Sequence, residues 1–238
     1  MKNPASAAPR PDLRQPPRCV AVVAAALFAL TLTGCLGASA PPERLFRLSD
    51  PAPPGTPAKA AISGTLVVEG FQARGALARE RNILFRDLAE ANETQFYPAS
   101  QWEELPATMI QTTLANCLDR AGLFESVTSR DRRFRPRYAL AGTLDQLEQR
   151  VAGACSDALI RVQMSLIDEE DHRMVLRGVY QAAEPVAGSR IDQALPAFDR
   201  ALTRICAAMV ADMRRLKPGG PAITPSQPRN EPAPACAR

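Results

Sequence analysis

Residues 138–181 read YALAGTLDQLEQRVAGACSDALIRVQMSLIDEEDHRMVLRGVYQ, and this stretch decides the fold. Tyr138, Leu140, Gly142 and Leu144 recur at every second position, with Leu147 beyond them. Ala158, Ile160, Val162, Met164 and Leu166 repeat the pattern. A period of two puts each set on one face of a strand, and polar partners on the other face mark a half-buried antiparallel sheet. The acidic turn Asp168–Asp171 follows, and Met174–Gln181 (MVLRGVYQ) closes a meander of three strands.

On the C-terminal side, Ile191–Leu216 carries an apolar stripe at helical spacing. It runs through Ile191, Ala194, Leu195, Phe198, Leu202, Ile205, Cys206, Met209, Val210 and Met213. On the N-terminal side, Pro106 can open a helix. Met109, Ile110, Thr113, Leu114, Cys117, Leu118 and Ala121 then recur every three or four residues until Gly122, a natural left-handed cap. Further strands are expected at 62–71 (ISGTLVVEGF), 82–86, 94–97 and 123–127, with a polar turn at 87–93. Neither helix is stable alone, and each needs the sheet to bury its stripe. The predicted fold class is an α/β (α+β) two-layer sandwich: a mixed, largely antiparallel sheet with two amphipathic helices on one face.

The domain is expected over residues 62–216. Residues 35–61 are rich in Pro and Ala and read as an extended spacer of about 25 residues, reaching at most about 80–90 Å. Within it only Leu45-Phe46-Arg47-Leu48 alternates like a short strand. Residues 217–238 carry six prolines and read as a disordered tail.

Residues 1–34 have the form of a secretory leader. Lys2, Arg10, Arg14 and Arg18 are followed by the apolar run Val20–Leu32, which is too short to span a bilayer as a helix. The run ends in Leu32-Thr33-Gly34-Cys35, which resembles the lipobox of bacterial lipoproteins. That resemblance implies cleavage before Cys35 and fatty acylation (palmitate-type chains) of its thiol and new amino group. Two or three acyl chains would make the tether effectively permanent. Without the leader the net charge falls from +4 to +1, which argues against a nucleic-acid surface. Of six cysteines, Cys19 would leave with the leader and Cys35 would take lipid. Cys117, Cys155, Cys206 and Cys236 remain, with three pairings open in an oxidising compartment. Cys117 and Cys206 both lie on apolar helix faces, so a bond between them and two buried free thiols are both open.

No catalytic constellation is legible. There is no nucleophile elbow, phosphate loop, dinucleotide fingerprint or zinc-helix motif, and His172 is the one histidine. The expectation is no enzyme, no cofactor and no metal. Asp168–Asp171 lacks the spacing and glycine of a calcium loop and reads as a solvated hairpin turn. Arg130, Arg132, Arg133, Arg135 and Arg137 form a basic cluster that reads as a charged loop without a partner, an anionic lipid head group or an acidic partner being the alternatives. Phe85, Phe96, Tyr97 and Trp102 are read as core rather than as a ligand platform.

Three segments together carry a resemblance: NILFRD (82–87), TQFYPASQW (94–102), and the helix from Leu105 to AGLF (121–124) with Val127. In this order they resemble the ABC-type transport auxiliary lipoproteins, the family containing paraquat-inducible protein C. Leu45–Leu48 is similar to the element that follows the acylated cysteine there. The resemblance implies a non-catalytic auxiliary component of a mammalian-cell-entry (MCE) type lipid transport system of Gram-negative bacteria. Its partners would be an MCE-domain periplasmic protein and an ABC permease and ATPase, with the membrane reached through the lipid on Cys35. Leu36, rather than aspartate, after the acylated cysteine implies the outer membrane, facing the periplasm. Whether copies assemble into a homo-oligomer is open. The alternative is an outer-membrane lipoprotein docking into another envelope assembly. The Pro-rich tail and the four remaining cysteines depart from the family pattern.

Overall fold

The computed structural model describes residues 42–225, apart from 54, 56–59, 91, 130–134 and 218. Among the described residues nine strands and two α-helices follow one another: β1 (Arg44–Phe46), β2 (Ile62–Val68), β3 (Gln72–Ala73), β4 (Asn82–Asp87), β5 (Gln95–Trp102), α1 (Pro106–Ala121), β6 (Phe124–Ser129), β7 (Tyr138–Ala152), β8 (Cys155–Asp168), β9 (Arg173–Val186) and α2 (Ile191–Met213). The meander is present and longer than its apolar alternation suggests. β7 pairs antiparallel with β8 from Tyr138↔Asp168 to Ala152↔Cys155, and β8 with β9 from Asp168↔Arg173 to Ser156↔Val186.

β7 organises the rest of the sheet. One edge takes β8, and the other takes β2, β3 and β4 in succession, all parallel. β6 adds to β2, and β5 then β1 add beyond β4, giving the order β1-β5-β4-β7-β2-β6. The fold class is therefore the mixed sheet with two helices expected from the sequence, curled into a half-barrel. Strand β5 runs through Pro98, beyond the 94–97 expected. Its pairing jumps from Leu84↔Phe96 to Asn82↔Gln101, and the surplus residues form a bulge with Ala99 at φ 51°. A bulge is where a strand tolerates a residue without an N–H.

The core lies between sheet and helices. Leu66, Leu114, Leu118, Leu140, Leu166 and Leu202 are fully enclosed, each contributing about 1.5–3 kcal/mol by burial. Trp102 and Phe198 meet edge to face at 5.8 Å. α1 stops where Gly122 adopts the left-handed conformation (φ 60°, ψ 28°) and donates its N–H to the Asp119 carbonyl, as the sequence predicts.

The tail expected to be disordered from residue 217 departs from that reading at its start. Ile223 pairs parallel with Leu176 on the outer edge of β9, donating to the Val175 carbonyl at 2.8 Å. Arg173 donates to the Gly220 carbonyl at 2.8 Å, and Pro225 is buried against Gly178, where a Cβ would lie 2.4 Å from the proline ring. Residues 226–238 lie outside the described residues.

Candidate functional site

Residues 44–51 are held on the domain rather than extended away from it. β1 runs parallel to the end of β5, and Glu103 donates its N–H to the Phe46 carbonyl at 2.7 Å. Arg44 forms a forked pair with Asp192 in the first turn of α2. The guanidinium groups of Arg44 and then Arg190 hold the Asp192 carboxyl below its ordinary range, and the helix N-terminus favours the same charge. Leu48 and Pro51 are buried. Ser49 donates its N–H to Asp199 at 2.8 Å, while Asn116 and Arg120 of α1 reach Asp50. Arg120 also donates to the Pro51 carbonyl at 3.0 Å. The segment predicted as spacer is thus clipped to both helices. Cys35 and residues 1–34 lie outside the described residues.

The two helices are joined covalently. Cys117 and Cys206, each fully buried, form a disulfide with Cα atoms 6.4 Å apart. This is the pairing whose two helix faces were legible in the sequence. Cys155, at the start of β8, is disulfide-bonded as well.

At the same end of the sheet a buried polar network fixes the approach to α2. Gln149, fully buried, donates to Ser156 Oγ at 3.1 Å and to the Gly188 carbonyl at 3.2 Å; Ser156 donates to that carbonyl at 2.6 Å. Tyr97 donates to the Ser189 carbonyl at 2.8 Å and also meets Gln149. Burial pushes the Tyr97 phenol up to about 12. Arg150 pairs with Asp157, and Arg86 with Glu148 at 3.0 Å. Deeper in, Tyr180 donates to Asp212 at 3.0 Å, and Arg215 donates to the same carboxylate at 2.8 Å. Burial first, and the Asp212 charge second, raise the Tyr180 phenol far above its ordinary value. Gln149, Ser156, Tyr97, Tyr180 and Asp212 each hold a hydrogen-bond partner, and the paired groups rigidify the fold.

The acidic turn and the basic cluster, read from sequence as separate features, meet. Asp168 is 2% exposed and accepts the N–H groups of Glu170 and Asp171, closing the turn. Arg137 lies 3.5 Å from Asp168, 3.3 Å from Glu170 and over the Tyr138 ring. The one buried carboxylate of this otherwise exposed turn is thus paired within the chain to Arg137, one member of the cluster. Its members Arg130, Arg132 and Arg133 lie outside the described residues, and Arg135 is exposed. His172 is exposed at the turn with φ 51°. Among the described residues no three His, Cys, Asp or Glu side chains converge as a metal ion would require.

Trp102 belongs to the core as read, and the Phe85 and Tyr97 rings meet at a tilt of 46° with centroids 5.1 Å apart. Phe96 does not: it is 57% exposed on β5, and Leu45 is 55% exposed on the three-residue edge strand β1. Among the described residues, two concavities stand out. One, of about 700 Å³, is a groove on the sheet lined by Gln72, Thr143, Gln163, Ser165, Met174 and Val179. The other, of about 520 Å³, lies between residues 47–50 and α1. Mixed polar and apolar linings of this kind suit contact with an extended chain or a partner surface. Gln149 and Ser156 carry no signal in the sequence, because isolated polar residues in strands read as solvent-facing.

No helix among the described residues is long and apolar enough to cross a membrane. A family model described as the ABC-type transport auxiliary lipoprotein component matches residues 46–210. Among solved structures, a Xanthomonas campestris protein carrying the family-model label DUF330 is similar at 22% identity. The match covers 70% of this chain and 92% of that one, with a TM-score of 0.62. An uncharacterised protein is similar at 12% identity, covering 74% and 98%, with a TM-score of 0.52. At these identities the likeness concerns the fold alone. No curated protein matches the sequence.

Proposed function

Since the chain belongs to the ABC-type transport auxiliary lipoprotein family, we propose that it is a non-catalytic docking component of an MCE-type lipid transport system. It is tethered through acylated Cys35 to the outer membrane and faces the periplasm. The observation that carries this reading is the family match over 46–210, preceded in the same chain by the Leu32–Cys35 lipobox. Three further features support it. Leu36 rather than aspartate follows the cysteine. The chain arriving from the anchor is clipped to both helices at Arg44 and Asp50, so pull on the tether is delivered to the rigid core. The polar networks are internally satisfied, which fits a module acting by contact rather than by chemistry.

The partner class is a periplasmic MCE-domain protein, working with a permease and an ATPase. The test is metabolic labelling with a fatty acid, membrane fractionation, and crosslinking of the full chain. Wild type should carry label, sediment with outer membranes and crosslink to an MCE-domain protein. Cys35→Ala should lose label and leave the outer-membrane fraction. An unlabelled wild type, or a Cys35→Ala chain that still fractionates with the outer membrane, would sink the anchor. Labelling without an MCE-domain crosslink would sink the partner assignment.

A further inference from the structure

We propose that Leu45 and Phe96 form a patch that rests on a phospholipid surface, that of the membrane holding the acylated Cys35; in this one respect the inference rests on the lipoprotein reading. Ladder pairing puts the two side chains on one face of the sheet. Leu45 is opposite Gln101, Gln101 is opposite Asn82, and Phe96 is opposite Leu84. Partners across a ladder point the same way, and so do Asn82 and Leu84, two positions apart on β4. The next pair along β1 and β5, Phe46 and Trp102, turns to the core instead.

The bulge in β5 brings the two residues together. From Phe96 to Gln101 the chain advances only as far as β4 does between Leu84 and Asn82, about 7 Å. With one strand spacing of about 5 Å to β1, the Leu45 and Phe96 backbones stand about 9 Å apart, against about 18 Å along an unbulged strand. Both side chains are more than half exposed, and Pro98, in the bulge, is exposed as well.

Charge, edge geometry, area and chain length select the occupant. The eight residues of β5, QFYPASQW, carry no charge. In the row of Phe96 and Leu84, Glu148 is 3% exposed and bonded to Arg86 at 3.0 Å. Apolar side chains beside the neutral amides of Asn82 and Gln101 suit the interfacial zone of a bilayer, where apolar tips enter and polar groups stay hydrated. Addition of a second copy's strand is opposed at this edge, because Pro98 has no N–H and the bulge interrupts the ladder. Two half-exposed side chains offer about 200 Å², well short of the roughly 800 Å² per partner in a stable protein interface. Beside an acyl tether no larger area is needed. Leu45 follows Cys35 by ten positions, at most about 35 Å of extended chain.

The test uses the full acylated chain, extracted in detergent and reconstituted into phosphatidylcholine vesicles, with or without bromine near the top of the acyl chains. Trp102 is the one tryptophan and is fully buried, so wild type sets the background. Phe96→Trp adds an emitter at the patch, and its added emission should fall about twofold in brominated vesicles. Met174→Trp adds one at the far end of the meander. Met174 is opposite Ile167 and Ile167 opposite Ala139, nine residues along β7 from Glu148, or about 30 Å. Its emission should be the same in both kinds of vesicle. An unquenched Phe96→Trp on a chain whose Cys35 is acylated overturns the patch and leaves the lipoprotein reading standing. If that unquenched emission is also blue-shifted, the patch meets a second copy instead of lipid. Equal quenching at both positions overturns a contact confined to this end. A chain that carries no acyl group and stays off the vesicles overturns both readings.

Discussion

Removing the Cys117–Cys206 bond by the double substitution Cys117→Ala/Cys206→Ala tests how much the helix layer depends on it. The bond closes a loop of 89 residues. Chain-entropy reasoning gives an entropy loss in the unfolded state of about 15–16 cal/mol/K for such a loop, or about 4.6 kcal/mol at 25 °C. Native strain and residual structure in the unfolded chain lower that figure, so about 3–4 kcal/mol is expected. Alanine is the right replacement because both positions are fully buried on apolar faces, where serine would bury an unmatched hydroxyl. For a domain of this size each kcal/mol moves the midpoint by about 2–4 °C, giving a fall of about 6–16 °C. Thermal unfolding followed by far-ultraviolet circular dichroism, on oxidised wild type and the double variant, reads it directly. A fall of less than about 2 °C would refute the reasoning. It would mean that sheet packing alone positions the helices and that the bond merely records their proximity.

Other outcomes follow from the same contacts. Phe198→Ala removes a fully buried ring edge-on to Trp102 and should destabilise the domain by about 3–5 kcal/mol, read by urea unfolding. Tyr97 is pushed up to about 12 in the folded protein, above its unfolded value near 10. The stability linked to it is complete below about pH 10 and is lost as pH rises toward 12, so Tyr97→Phe should flatten the alkaline limb of a stability–pH profile. An equal slope in both proteins would count against the assignment. Arg44→Ala breaks an exposed pair and should leave global stability essentially unchanged. It should nevertheless speed limited proteolysis within residues 44–51, and unchanged cleavage there would show that Arg44 is not a clip.

What the sequence makes legible is what depends on neighbours close in the chain. The β7–β8–β9 meander rests on an alternation within 44 residues, and the end of α1 on one glycine. The central place of β7 does not show, because β2, β3 and β4 pair with it in parallel across 60–80 residues, and parallel pairing leaves no turn to read. The passage of β5 through Pro98 is hidden because a bulge absorbs the proline. Residues 44–51 look like linker because their fixings are Asp192, Asp199, Asn116 and Arg120, about 65–150 positions away. The Gln149–Ser156–Tyr97 network is missed for a related reason: a polar residue announces burial only through partners the sequence does not place beside it. The helix-to-helix disulfide lies between, since both faces were readable but their approach was not.

The clip at Arg44 changes the mechanics of any anchor at Cys35. The two positions are only nine apart in sequence, a leash of at most about 30 Å, against the about 80–90 Å that a free spacer to residue 61 would allow. The volume a tethered body can search scales as the cube of its leash, so the domain would explore a region about twentyfold smaller. Its local concentration near the membrane would rise in the same proportion. Such a body behaves less like a bait on a line than like a fixture with a preferred side, the end bearing β1 and the start of α2 held toward the lipid. An assembly arriving from the opposite membrane would then have to cross the remaining gap itself.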